Sequence, residues 1–257
     1  MVDRMEGAVL EARNIYFSFS DSPNQWIIDG VSFKARKGEF ISLIGPSGCG
    51  KSTLLRVLAN LIKPSSGEVL YNGKRIYSPT SDISFVFQDF ALLPWLTNIE
   101  NVEVGLATAN ISPEEKRKRA AGVLNMMGLE SVANYYPNAL SGGMKQRVGI
   151  ARAIVSNPRV LLMDEPFSSL DELTANALRS DVVYMLKSTE ISINSVIMVT
   201  HNVEEAVEMS DRIIVLTDKP TKVKEEIKLA MEYPRNRHSR AFITMVDKVY
   251  EALTRQQ

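Results

Sequence analysis

The chain lacks most of what would place it outside ordinary globular proteins. A single cysteine, Cys49, cannot form an intramolecular disulfide, so stability has to come from core burial, and a reducing compartment is expected. No apolar run approaches the roughly 18–20 residues that span a bilayer. The opening Met1-Val2-Asp3-Arg4-Met5-Glu6 has no apolar signal core. Neither sign of charge is in excess: 30 Lys and Arg offset 30 Asp and Glu. A dedicated nucleic-acid binder normally carries a basic surplus or stripe, so this balance argues against one. Internal repeats and low-complexity segments are missing too. What is present is 257 residues, 45% hydrophobic and 23% charged. These values exclude disorder and collagen-like repetition, and they allow one α/β domain or one domain carrying a subdomain.

Short apolar runs alternate with amphipathic stretches, the pattern of an α/β fold with a largely parallel sheet. Glu39–Ile44 reads as a buried strand, followed at once by a glycine-rich turn and a helix over Lys51–Leu61. Glu68–Tyr71 before Asn72-Gly73 predicts a strand entering a hairpin turn, and Ile83–Phe87 another short strand. From about 97 to 157 strand-like runs are scarce. Ser112-Pro113-Glu114-Glu115 starts a helix there, with a serine cap and proline at the first helical position. A second helix follows Leu140-Ser141, with Met144, Val148, Ala151 and Val155 on one apolar face. This block, about residues 91–156, predicts a helical insertion between two parts of one sheet. Strands return at Val160–Met163, Ser195–Thr200 and Arg212–Leu216. A helix over Glu172–Lys187 is expected to turn Leu173, Ala177, Val182 and Leu186 inward. Asn202-Val203-Glu204-Glu205 resembles a capping box. Beyond Leu216 the pattern weakens, and a polar tail, about 218–257, with a basic patch at Arg235, Arg237 and Arg240, is expected.

Gly45-Pro46-Ser47-Gly48-Cys49-Gly50-Lys51-Ser52 fits G-x-x-x-x-G-K-[ST] at every fixed position, between a predicted strand and a predicted helix. Glycines let successive N–H groups cradle phosphate oxygens, and the helix N-terminus adds a favourable dipole. Lys51 can reach the β- and γ-phosphates, and the Ser52 hydroxyl can ligate Mg²⁺. Two readings of Cys49 stand. It is a small residue that fits between glycines, or a thiol of lowered pKa beside a helix N-terminus, which an alkylator would reach unless Mg-ATP protects it. Downstream, Val160-Leu161-Leu162-Met163-Asp164-Glu165 predicts a strand ending in two carboxylates. Alternation sends adjacent side chains to opposite faces, so the two acids take different work. Asp164 is placed for the Mg²⁺ shell and Glu165 as general base or water-orienting group.

Leu140-Ser141-Gly142-Gly143-Met144-Lys145-Gln146-Arg147 separates this chain from other phosphate-loop proteins. Together with the phosphate loop, Gln88, Asp164-Glu165, Ser169-Leu170-Asp171 and His201, it resembles the ATP-binding-cassette (ABC) ATPases over nearly the whole chain. The resemblance implies an α/β P-loop NTPase of the RecA-like kind: a mostly parallel sheet core, an N-terminal antiparallel β-subdomain and an inserted α-helical subdomain, all in one nucleotide-binding domain. It implies ATP and Mg²⁺ as cofactors, with nucleotide bound along Gly45 to Ser52 and at Thr53. It also implies a head-to-tail homodimer with two ATP at the interface, where Ser141, Gly142 and Gly143 meet the γ-phosphate held by the partner and Asp171 serves as the D-loop aspartate. Read alone, Leu140–Gly143 is either an ordinary helix N-cap or a second anion site made by a serine, two glycines and the helix they open. Gln88 matches the Q-loop glutamine at Mg²⁺ or the lytic water, and His201 the switch histidine on the γ-phosphate. Tyr16, Phe17 and Phe19 are candidates to stack on adenine, and the family pattern points to Phe19.

Ninety residues separate Lys51 from Ser141, which leaves no room for the long coiled coils of chromosome-maintenance or repair relatives. About 55 residues follow the last motif, too few for the regulatory β-domain of sugar-importer ATPases. Gln88-Asp89-Phe90-Ala91-Leu92-Leu93-Pro94-Trp95 resembles the Q-loop of the nitrate, sulfonate, taurine and bicarbonate importer group. The chain departs from the pattern at Asn60, where glycine is usual, at Asn202, where Asp is usual, and at Lys219-Pro220-Thr221-Lys222, in place of an Arg-Pro-Gly turn. The resemblance implies permease subunits as membrane partners, a solute-binding protein as an indirect one, and a peripheral place on the cytoplasmic face of the cell membrane. Phe90 to Leu96 suits docking of a cytoplasmic helix from the membrane subunit, or burial against the helical subdomain. The alternatives are the ATPase of an exporter, or a non-transport relative acting on nucleic acid or ribosomes. Charge balance and the short insertion oppose the second.

Overall fold

β-branched and leucine-rich runs separated by turn residues give ten strands among the described residues, which in this computed structural model are 7–21, 25–187 and 192–255. Met1–Glu6, read above for its want of a signal core, lies outside them. The chain divides into two units, Met1–Pro79 with Asn194–Gln257, and Thr80–Ile193.

The first unit holds an antiparallel sheet of β1 (Ala8–Phe17), β2 (Ile28–Arg36), β4 (Ser66–Tyr71) and β5 (Lys74–Arg75), in the order β2-β1-β4-β5. Beside it β3 (Glu39–Ile44) runs parallel to both β8 (Ser195–Val199) and β9 (Arg212–Leu216). β3 is central and buried on both faces, which is why it reads as a continuous apolar run. β3 leads into α1 (Lys51–Leu58), which ends three residues earlier than its sequence pattern suggests. Asn60 stands just beyond with a left-handed φ of 55°. That conformation accounts for the glycine usual here, and asparagine is among the few side chains that tolerate it.

The polar tail expected beyond Leu216 is instead part of the core. β10 (Val223–Lys228) pairs antiparallel with β9, and α7 (Arg240–Thr254) opens on a Ser239 cap. Ile227, Leu229, Phe242, Val249 and Ala252 join one buried cluster with Ile44, Val215 and residues of α6 (Val203–Met209). Two of the three residues of the expected basic patch are tied to α6, and Arg240 stays exposed. Arg235 donates from one nitrogen to the carbonyls of Val207 and Ser210, both at 2.5 Å, closing the C-terminal end of α6, and Arg237 pairs with Glu208 at 2.5 Å. The signal was present in the apolar spacing of Phe242, Met245, Val246, Val249 and Leu253, set among polar neighbours that make the segment read as a tail.

The second unit pairs β6 (Ile83–Val86) parallel with β7 (Val160–Asp164). Between them come α2 (Asn98–Glu103), α3 (Pro113–Met126) and α4 (Gly142–Ile154), and α5 (Glu172–Lys187) follows. α3 starts at Pro113 with Ser112 accepting from the Glu115 N–H. The inner face of α5 differs from expectation. Ala175, Leu178 and Val182 are buried, whereas Leu173 is 85% exposed and Ala177 is exposed; the Leu186 side chain lies outside the described residues. The reason is Arg179. Its guanidinium is buried 5.9 Å from the Phe167 ring and ion-paired with Glu172 at 2.7 Å, so a charged residue takes a place that periodicity gives to an apolar one. No helix among the described residues is long and apolar enough to cross a membrane.

Candidate functional site

The motif residues fall on both units, and each group has its own geometry. In the first unit the loop from Gly45 to Gly50 joins β3 to α1. Gly48 and Gly50 take left-handed φ values of 76° and 118°, which a side chain would resist. Lys51 is buried, and its ammonium donates to the carbonyls of Gly45 and Pro46, each at 2.8 Å. The loop thus closes around its own lysine, while Pro46, Ser47 and Gly48 face solvent. α1 begins on Gly50 with no side-chain cap and no acidic residue in its first turn. By contrast α3, α4, α6 and α7 open on a serine or asparagine whose side chain accepts from a backbone N–H. An uncapped helix end behind a glycine loop and a lysine fits a polyphosphate.

Cys49 is fully buried, and burial pushes its thiol above the ordinary range, against the opposing pull of Lys51. The lowered-pKa thiol is therefore corrected: Cys49 acts as a small core residue of the loop, and a nearby helix dipole does not offset desolvation. Ser52 and Thr53 follow, each partly exposed. Phe17 is buried and Tyr16 packs edge-on against Trp26 at 5.7 Å. Phe19 is 53% exposed, with its ring 5.1 Å from Phe17, and so has the freest face of the three. His201 stands exposed just past β8, between two anchored neighbours. The buried Thr200 hydroxyl donates to Glu205 at 2.7 Å, and Asn202 accepts from the Glu205 N–H at 3.1 Å.

In the second unit Asp164 is the last residue of β7 and buried. The strand stops there, one residue short of the expected end. Glu165 has a left-handed φ of 44°, and its carbonyl accepts from the Ser168 hydroxyl at 2.9 Å. The backbone turns at Glu165, so the two acids do not share one extended strand and alternation alone does not set their placing. Gln88 is exposed just after β6. Ser141 caps α4 by accepting from the Met144 N–H at 3.3 Å, which leaves its own O–H to donate elsewhere. A Cβ on Gly143 would lie 2.3 Å from the Thr174 methyl, so only glycine fits at that close approach. Asp171 caps α5 through the Thr174 N–H at 3.0 Å, and that bond lowers its carboxyl pKa. Among the described residues no three His, Cys, Asp or Glu side chains gather as a ready metal cluster. A cation here would depend on the bound phosphates for part of its shell.

Two supporting residues have no sequence signal. Arg152 donates to the Phe90 and Ala91 carbonyls at 2.8 and 2.5 Å, where both residues have positive φ. Asn101 accepts from the Leu93 N–H at 2.7 Å and donates to the carbonyls of Leu93, Leu96 and Thr97. Together they hold the loop after Gln88, leaving Trp95 69% exposed while Phe90–Leu93 and Leu96 are partly buried.

A family model described as ABC transporter matches residues 28–168. The chain is 40% identical over 252 residues to an uncharacterized ABC transporter ATP-binding protein of Methanocaldococcus jannaschii, covering 98% of this chain and 93% of that one. It is 38% identical over 236 residues to the aliphatic sulfonates import ATP-binding protein SsuB of Bacillus cereus, covering 92% and 91%. Among solved structures, the dimeric post-hydrolysis ATP-binding cassette MJ0796 bound to ADP and Pi superposes with a TM-score of 0.76 at 36% identity, over 87% of this chain and 100% of that one. With a family model across more than half of its length and such relatives along nearly all of it, the chain belongs to the ABC transporter family as an ATP-binding cassette.

Proposed function

We propose that this cassette is the ATP-hydrolysing subunit of a membrane importer for a small anion or organic solute of the nitrate, sulfonate or taurine type. The observation that carries the nucleotide half is the glycine loop closed on the buried Lys51 in front of an uncapped helix. In this reading the whole chain is one nucleotide-binding domain, with about 91–156 as its helical subdomain and about 218–257 as a C-terminal extension. Two copies meet head to tail. The loop from Gly45 to Thr53 of one copy holds the ATP phosphates, Phe19 stacks on adenine, and Ser141, Gly142 and Gly143 of the other copy donate to the γ-phosphate. Ser52, Asp164 and Gln88 would hold Mg²⁺, whose charge offsets that of the phosphates. Glu165 orients water and takes its proton, and His201 contacts the γ-phosphate. The new bond forms from water oxygen to Pγ, the bond from Pγ to the bridging oxygen breaks, and ADP and phosphate leave. Asp171 sits at the interface between copies.

Closure and reopening of the pair would drive permease subunits at the cytoplasmic face of the membrane, as a translocase. A solute-binding protein would act upstream, with no role for nucleic acid. The dimeric neighbour with ADP and phosphate supports the pairing, and the sulfonate relative supports import. The test is Glu165→Gln. Turnover should fall by more than about a hundredfold, while ATP stays bound and the protein elutes as a dimer in its presence. Near-normal steady-state hydrolysis sinks the assignment. Solute-dependent stimulation of ATPase activity in vesicles carrying the membrane subunits and binding protein checks the direction of transport.

A further inference from the structure

Thr221 stands where the family pattern leads to the glycine of an Arg-Pro-Gly turn. Its side chain is fully buried. The Thr221 N–H donates to the Ile27 carbonyl at 2.8 Å, and its own carbonyl accepts from the Asp29 N–H at 2.9 Å. The residue is thereby stitched on both sides to the start of β2. Lys222 adds an ion pair with Asp29 at 2.9 Å. The turn itself is closed by Thr217, whose hydroxyl donates to the Pro220 carbonyl at 3.1 Å and accepts from the Lys222 N–H at 2.8 Å.

From this fixed base the Thr221 hydroxyl donates to the carbonyl of Cys49, inside the phosphate loop. Glycine would have no hydroxyl to offer, so this contact belongs to this chain and not to the pattern it departs from. The acceptor matters. A peptide is planar, with its C=O and the following N–H pointing opposite ways. Fixing the Cys49 carbonyl therefore fixes the aim of the Gly50 N–H, at the uncapped end of α1. Farther along, the Ile27 N–H donates to the Phe17 carbonyl at 2.8 Å. One line of hydrogen bonds runs from the aromatic end of β1 through Ile27 and Thr221 to the loop.

We propose that Thr221 is a positioning residue for the phosphate loop: its hydroxyl holds the Cys49–Gly50 peptide in the orientation that binds nucleotide and keeps the Cys49 thiol shut in. The nucleotide part rests on the phosphate-loop reading above. The single cysteine makes the test direct, because any thiol signal from the full chain is Cys49. Native protein is treated with the chromogenic disulfide DTNB without nucleotide, and ATP affinity and turnover are measured separately. Thr221→Val keeps the branched shape and loses the hydroxyl. It should label about tenfold faster and bind ATP about tenfold more weakly, as loss of one buried hydrogen bond to a carbonyl implies. Turnover at saturating ATP should stay within about twofold, since the loss is in binding. Thr221→Ser should match the wild type in both respects.

Wild-type labelling in folded Thr221→Val, or a serine variant as loose as the valine one, overturns the clamp. Faster labelling with unchanged ATP affinity overturns the positioning role. A wild-type chain that binds no ATP overturns the loop reading beneath it, and the thiol result is independent of that. Should the valine variant not fold, Thr221→Ala carries the same expectations, with serine again as the restoring change.

Discussion

The phosphate-loop end of the first unit and the cap-bearing ends of the second are built by opposite means. In the loop, the groups that set the geometry are buried: Lys51 on two carbonyls, Cys49 without exposure, Thr221 beneath them. At the other ends, Ser141, Asp171 and Gln88 are exposed, the first two held by one capping bond to a side-chain oxygen and Gln88 by the close of a strand. The frame of such a loop is set within one chain, because the groups that shape it find their partners there. Exposed polar groups on stiff caps have hydrogen-bonding capacity left over, as donors at Ser141 and Gln88 and as an acceptor at Asp171, and suit a ligand or group that a second body brings. The contrast teaches that binding and turnover should be separable by mutation.

The largest effect should come from Lys51→Ala. ATP affinity is expected to fall by about a thousandfold, with loss of both a charge and the carbonyl contacts; a fluorescent ATP analogue titrated at equilibrium checks this, and unchanged affinity breaks the comparison at once. Ser141→Ala should act on the other side only. Turnover should drop by roughly a hundredfold with one donor gone, and the missing cap should lower stability by about 1 kcal/mol, while single-site nucleotide affinity holds. A matching loss of affinity in the isolated subunit would erase the distinction. Gly143→Ala brings a Cβ within 2.3 Å of the Thr174 methyl, so overpacking should cost about 1–3 kcal/mol in denaturant unfolding. Adding Thr174→Ser removes that methyl and should restore most of the loss. The smallest effect concerns Asp171. Its folded carboxyl pKa lies below its unfolded value, so the cap's contribution is present above the ordinary carboxylate range and fades as pH falls through the folded one. Asp171→Asn should remove that acid fade from the unfolding curve and change little at neutral pH.

What was legible in the sequence is what is local. The glycine loop, the Ser112 and Ser141 caps and the β3, β7, β8 and β9 runs depend on residues a few positions apart, and each appears at its expected place. Long-range partners were not legible. Arg179 looks like a solvated helix residue until Phe167 is known to lie over it, and the inner face of α5 moves to Ala175, Leu178 and Arg179 while keeping Val182. Glu165 looks like a strand residue until its φ is seen. Cys49 kept two readings because a helix dipole is visible in sequence and desolvation is not. Arg235 looks like surface charge, yet its nitrogen closes the carbonyl end of α6.

The C-terminal strand and helix support the phosphate loop from a stretch of sequence that carries no motif of its own. Ile227, Phe242 and Val249 share a buried cluster with Ile44, the residue directly before Gly45. A protease nick between Leu216 and Val223 that released the tail would open that cluster to water. The nucleotide loop would then lose the floor beneath it. Survival in a proteolytic environment would then rest on the turn at 217–222, the same turn whose Thr221 hydroxyl holds the Cys49 carbonyl.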